Sequence, residues 1–217
     1  QMRWLPALSL LLLATLFMAP AHAAVSCSLN DPDRDVRKAF PKSSGYRTEF
    51  KSVQAQGGPA FRTRFEKLYG RGLDTYAEYD IQHAFYPVLQ GKELTGYLFG
   101  ATQKGKYGSL QVIAITDPQG KIRSIYYQRL SAPYSKQLKD ASFLRQFEGL
   151  SLDDFRHWPT EPSKAVKVQG ITAPSPEAQT DLIETLWGLK KVLMLFDHYY
   201  QGGAGLQRWA STAGGAV

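Results

Sequence analysis

Cysteine is almost missing from this chain of 217 residues: Cys27 stands alone, so no internal disulfide can form and stability must come from an ordinary packed core. Histidine is nearly as scarce. His22, His83, His157 and His198 show no metal-ligand spacing, and there is no Cys-x-x-Cys-His haem attachment site and no zinc pattern. No Gly-x-Ser-x-Gly elbow is present, and Gly105-Lys106-Tyr107-Gly108 lacks the flanking residues of a P-loop. A hydrolase therefore has almost nothing to stand on. Internal repeats are absent too, and beyond the first twenty residues no apolar run approaches the length of a membrane span.

The N-terminus supplies the one long apolar run. Met2-Arg3 is a short positive start, Leu5 to Met18 is almost unbroken apolar sequence, Pro20 breaks it, and Ala21-His22-Ala23 offers a small–x–small cleavage pattern. Residues 1–23 read as a signal peptide, which predicts export, from a bacterial cytoplasm to the periplasm. Ala24-Val25-Ser26-Cys27 loosely resembles a lipobox with alanine where leucine is usual, so lipid attachment at Cys27 is the alternative to a soluble mature protein. The cut after Ala23 is the better formed.

Loss of Arg3 with the leader lowers the net charge from +7 to +6. The remaining cations are scattered rather than banked, and export argues against nucleic acid as a partner. Attraction to anionic lipid headgroups or to an acidic redox partner is the functional reading of this excess, and a solvated basic surface is the plain one.

Residues 24–85 read as an N-terminal extension. It holds a short helix over Asp33–Phe40 stopped by Pro41, a loop at 54–60, and a helix over Phe61–Tyr69 ended by Gly70. Tyr76, Tyr79, Phe85 and Tyr86 form an aromatic stretch suited to a core or strand face. Two strand pairs follow. Tyr86–Leu89 and Leu94–Gly100 flank a turn at Gln90-Gly91-Lys92, and Leu110–Thr116 and Lys121–Gln128 flank Asp117-Pro118-Gln119-Gly120. β-Branched residues and good turn chemistry predict an antiparallel sheet. Asp140 caps a helix carrying Phe143, Leu144 and Phe147 and ended by Gly149. Asp153-Asp154 reads as a solvated helix start. The expected class is α+β, a twisted antiparallel sheet with helices packed on it and a long C-terminal helix over Glu177–His198 covering one face. After Gln201 a glycine-rich tail, 201–217, is expected to be loose.

The stretch that draws functional attention is Val168-Gln169-Gly170-Ile171-Thr172-Ala173-Pro174-Ser175-Pro176-Glu177. The spacing predicts a strand over Ala165–Val168 feeding a glycine turn. Ser175 then stands as N-cap, with Pro176 in the first helical position and Glu177 at the positive end of the helix. A turn carrying hydroxyls ahead of a helix is suited to a phosphate, because unpaired N–H groups point outward there. On its own, the same stretch is also simply a well-made cap.

Order along the chain adds a further signal. Gly96-Tyr97, Lys106-Tyr107-Gly108-Ser109, Val112-Ile113-Ala114-Ile115, Gly120-Lys121-Ile122, Phe143-Leu144-Arg145-Gln146-Phe147-Glu148-Gly149 and Gly170-Ile171-Thr172 follow one another. This series resembles the FMN-binding domain in the flavin subunits of sodium-translocating quinone reductases, Rnf-type complexes and related exported proteins, over residues 86–198. Val36–Pro41 resembles the Leu-Phe-Pro opening found ahead of such domains. The resemblance implies an FMN-binding domain over 86–200 and an electron-transfer role with a membrane or periplasmic redox protein, rather than an independent enzyme. It places Thr172 where a flavin transferase can link FMN through its phosphate, with Gly170 and Ser175 in support. Tyr107, Gly108, Pro133 and Tyr134 are then expected to line the ring. The chain departs from the pattern at Gln169, which replaces a hydroxyl residue, at Ile171, which replaces alanine, and at Pro174, and no acidic residue sits just upstream. Ser131-Ala132-Pro133-Tyr134 stands where Glu-Thr-Pro-Gly is usual. These departures leave open a flavin-free accessory or assembly module of the same fold.

Overall fold

The computed structural model describes residues 25–73 and 81–213, so the leader, Tyr76, Tyr79 and the last four residues lie outside the described residues. The frame is a meander of four strands, β4 (Gln82–Gln90), β5 (Glu93–Gly105), β6 (Gly108–Thr116) and β7 (Ile122–Arg129), each antiparallel to the next. Three short strands from the N-terminal segment join the other edge. The strand β1 (Val25–Ser26) runs parallel to β4, while β2 (Gly45–Tyr46) and β3 (Glu49–Lys51) pair with it antiparallel. The expected α+β class with an antiparallel sheet is what the chain adopts, with the two-residue β1 as its one parallel pairing among the described strands.

Both faces of the sheet are buried, and the period-two alternation of the strands sorts the side chains between them. Phe85, Tyr97, Phe99, Ala101, Leu110, Val112, Ala114 and Tyr127 point to the larger core. Ala84, Tyr86, Val88, Leu98, Ile113 and Ile115 point to the smaller one, where they meet Val36 and Phe40 of the N-terminal segment and the side chain of Cys27. The helix α1 (Pro32–Ala39) covers that second face. Asp31 caps it by accepting from the Arg34 N–H at 3.0 Å, Pro32 fits its first turn, and Asp35 accepts from the Tyr126 hydroxyl at 2.9 Å. Cys27 is buried here.

The larger core is closed by the long helix α7 (Gln179–Tyr200), which runs across the sheet. Phe196 stacks on Phe99 with ring centroids 5.1 Å apart and meets Tyr97 edge-on at 4.8 Å. At Gly188 a methyl group would come within 3.1 Å of the Ala101 Cβ, so the bare backbone lets helix and strand approach closely. The helix is buried around nearly its whole circumference rather than on one face, because the other elements cover its outer side. These are α3 (Gly58–Tyr69), α8 (Ala204–Ala213) and the segment 152–169.

Three expectations are corrected. The stretch 54–60 is helical, in α2 (Val53–Gln56) and the first turn of α3, with Ser52 accepting from the Ala55 N–H to cap α2. The tail after Gln201 is helical through Ala213. Gly202 and Gly203, both at positive φ, turn the chain, and the Asp197 carboxylate accepts from the Gly205 and Leu206 N–H groups to start α8, whose Leu206 and Trp209 are buried. Ala165–Val168 is no strand: α6 (Val166–Gln169) is one helical turn. Its valines have strand propensity, but the segment pairs with no strand of the sheet. Instead Gln169 N–H bonds to the Ala165 carbonyl and Gly170 N–H to the Val166 carbonyl, which sinks Val168 into the core and leaves Val166 71% exposed.

Candidate functional site

The turn after α6 is built around one side chain the sequence reading gave no role. The Gln146 amide accepts from the Thr172 N–H at 2.9 Å and donates to the Thr172 carbonyl at 3.1 Å, so it pairs with that residue as a neighbouring strand would. The Thr172 hydroxyl, on an exposed residue, also reaches Gln146 Oε1 at 3.3 Å. Ile171 turns inward and is 7% exposed, so the residue that departs from the resembling pattern feeds the core and does not cover the threonine. Gly170 ends α6 with ordinary helical φ, its N–H already bonded to Val166. The hydroxyl acceptor expected here is accessible; the Ile171, Gly170 and Thr172 amides are all satisfied by the protein itself.

Beyond the turn, Ser175 is extended but makes no capping bond through its side chain, and a 3-10 turn over Pro176–Ala178 precedes α7. Its hydroxyl is enclosed and lies toward the Glu177 carboxylate. The N-cap expected of Ser175 is therefore not made. The Glu177 backbone N–H holds that residue's own carboxyl below its usual range, so this helix start carries its own anion.

A second cluster forms where the β5–β6 hairpin meets the first turn of α7. Lys106 and Tyr107 are the two turn residues, closed by the Gly105–Gly108 pair, with Gly108 at a φ of +114°. Asp181 organises the cluster. One carboxylate oxygen accepts from the Lys106 N–H at 2.7 Å and the other from the Tyr134 hydroxyl at 2.8 Å. Gly105 is required for this approach, since a methyl group there would stand 2.7 Å from the Asp181 oxygen. Burial, reinforced by Asp181, pushes the Tyr134 phenol well above its usual value, so it remains a donor at neutral pH. The half-exposed Tyr107 ring meets Tyr134 edge-on at 5.9 Å. The groove between the hairpin and residues 130–132 is packed tightly enough to leave no room for a water. Pro133 is exposed, just before the short helix α4 (Ser135–Leu138).

Of the expected ring-lining residues, Tyr107 and Gly108 line this filled groove, and Tyr134 meets the Tyr107 ring. Open space lies beside the threonine turn instead. A cleft of about 360 Å³ is lined by Lys136 and Gln137 of α4, by Asp140, by Ser142 and Phe143 of α5 (Ala141–Leu144), and by Pro174. Its size falls within the ~300–1,000 Å³ of small-molecule sites. At the threonine turn the exposed Thr172 hydroxyl and Lys136 on the cleft wall suit a phosphate, while the amides of the turn are occupied, the Ser175 hydroxyl is enclosed, and the carboxylates of Glu177 and the cleft-lining Asp140 oppose an anion.

Gln146, Asp181 and Lys136 are the residues that sequence reasoning missed. Gln146 lay inside the Phe-x-x-Gln-Phe series, where its fixed place was a usable signal. Asp181, a carboxylate beside the apolar run that opens α7, gave a weaker one. Among the described residues no group of histidine, cysteine and carboxylate side chains is placed to hold a metal ion. No family model matches the chain, and no curated protein is significantly similar to it.

Proposed function

We propose that this chain is an exported flavoprotein that holds FMN at the Thr172 turn and exchanges electrons with a membrane or periplasmic redox protein. The observation that carries this reading is the exposed Thr172 hydroxyl, clamped through its backbone by Gln146, beside an open cleft walled by Lys136, Phe143 and Pro174. Thr172 would meet the phosphate, Lys136 would offset its charge, and Phe143 and Pro174 would give apolar contact. The flavin, when bound, supplies the redox chemistry, and the chain supplies anchoring and environment. This reading assigns no side chain the role of general acid, base or nucleophile. If a flavin transferase modifies the protein, Thr172 Oγ1 is the acceptor. Export rests on the leader pattern of residues 1–23, and among the described residues no helix is long and apolar enough to cross a membrane. The burial of Cys27 within the second core favours the soluble form over lipid attachment.

A flavin-free accessory module of the same fold is the second reading, and the filled groove between Tyr107, Tyr134 and Asp181 favours it. Purified protein separates the two. Visible flavin absorption supports the first, colour that survives acid precipitation marks a covalent bond, and Thr172→Ala should then remove it. Colourless protein that takes up no added FMN refutes the flavin reading.

A further inference from the structure

A cavity of about 620 Å³ opens between the last turn of α3, the segment 156–164, α7 and α8. Its floor holds Lys190, which is only 3% exposed. The ammonium donates to the Trp158 carbonyl at 2.7 Å and lies over the rings of Trp187 and Trp209, 5.5 and 5.8 Å from their centroids. Among the described residues no carboxylate pairs with it. A buried charge is costly unless a counter-ion meets it, and the described residues provide none at this place.

The cavity walls repeat the same sign. Lys67 and Arg156 add positive charge, and Glu161, the one carboxylate among the described lining residues, is already taken up by His157 at 2.8 Å and by Lys164. Between these cations the lining is indole and aliphatic: Trp187, Trp209, Leu68 and Pro159. Trp187 is braced by Trp158, Tyr69 and the Arg71 guanidinium, so this wall is set before any ligand arrives. Lys190 follows Asp181 by nine residues, roughly 14 Å along α7, which separates this cavity from the hairpin cluster.

We propose that this cavity binds a small organic carboxylate carrying a flat aromatic body, its carboxylate received by Lys190 and Arg156 and its ring by the tryptophan wall. The assignment does not depend on flavin binding.

The test uses 2-naphthoate and its uncharged counterpart 2-naphthalenemethanol, titrated into the purified protein at neutral pH and followed by tryptophan fluorescence and calorimetry. Naphthoate is expected to bind saturably at one site and at least about tenfold more tightly than the alcohol, the worth of one charge-assisted hydrogen bond. Lys190→Met should abolish that preference. Arg156→Gln, at a partly exposed position with little bearing on folding, should weaken naphthoate several-fold and leave the alcohol unchanged. Equal binding of acid and alcohol, no saturable binding of naphthoate, or unchanged naphthoate affinity in a folded Lys190→Met overturns the proposal. If Lys190→Met does not fold, unchanged affinity in Arg156→Gln overturns it as well.

Discussion

Lys190 allows a stability prediction that needs no ligand. Burial pushes its ammonium from the ordinary 10.5 down to about 8, because the helix-lined interior solvates the charge poorly. Below pH 8 the lysine is charged in both folded and unfolded chains, and the folded state bears the full cost of burying it. Between the two values the unfolded chain keeps a proton that the folded chain has released, so stability rises with pH across that window. The full difference corresponds to about 3 kcal/mol, of which about 1 kcal/mol is recovered by pH 9 and about 2–3 kcal/mol by pH 10. Lys190→Met removes the titrating group while keeping much of its volume. Urea unfolding of both proteins at pH 7, 8, 9 and 10 therefore gives two curves that should converge or cross: the native protein gains on the variant as pH rises. The tyrosines that begin to ionise near pH 10 are common to both proteins and cancel in the difference. Parallel curves would show that the Trp158 carbonyl and the indole rings solvate the ammonium as well as water does, and the reasoning would be wrong.

Two further predictions concern packing and the hairpin cluster. Phe196→Ala opens a hole between α7 and the central strands and should cost about 3–5 kcal/mol, read from the urea midpoint at constant slope. Asp181→Ala leaves both the Lys106 N–H and the enclosed Tyr134 hydroxyl without their acceptor, at a cost of about 2–4 kcal/mol. In that variant the Lys106 amide should lose hydrogen-exchange protection, and unaltered protection would refute the anchoring role of the carboxylate.

Much of the architecture was legible in the residues because local chemistry and tertiary need agree there. The Asp117–Gly120 turn, the alternation in β6 and β7, the Asp140 cap and the apolar run through α7 each specify an element without help from distant parts of the chain. Legibility failed where the two conflict. Val166 and Val168 argue for a strand, yet the segment closes its own helical hydrogen bonds and sinks Val168 into the core. Gly202 and Gly203 argue for a loose tail, yet Asp197, one turn back, supplies the cap that starts α8. Ile171 departs from the resembling pattern beside Thr172 yet points into the core, and sequence adjacency says nothing about which way a side chain points.

By itself, then, the amino-acid order determined the class of fold, the pairing of neighbouring strands, the long terminal helix and the threonine turn as a place to look. These follow from periodicity and turn chemistry, which act over a few residues. Only the tertiary structure decided that Gln146 would grip Thr172 from twenty-six residues away, and that Asp181 would tie the Lys106 amide to the Tyr134 hydroxyl. It alone sank Lys190 among tryptophans beside a cationic cavity. Such contacts join segments far apart in the chain, and their geometry exists only once the sheet and α7 have packed.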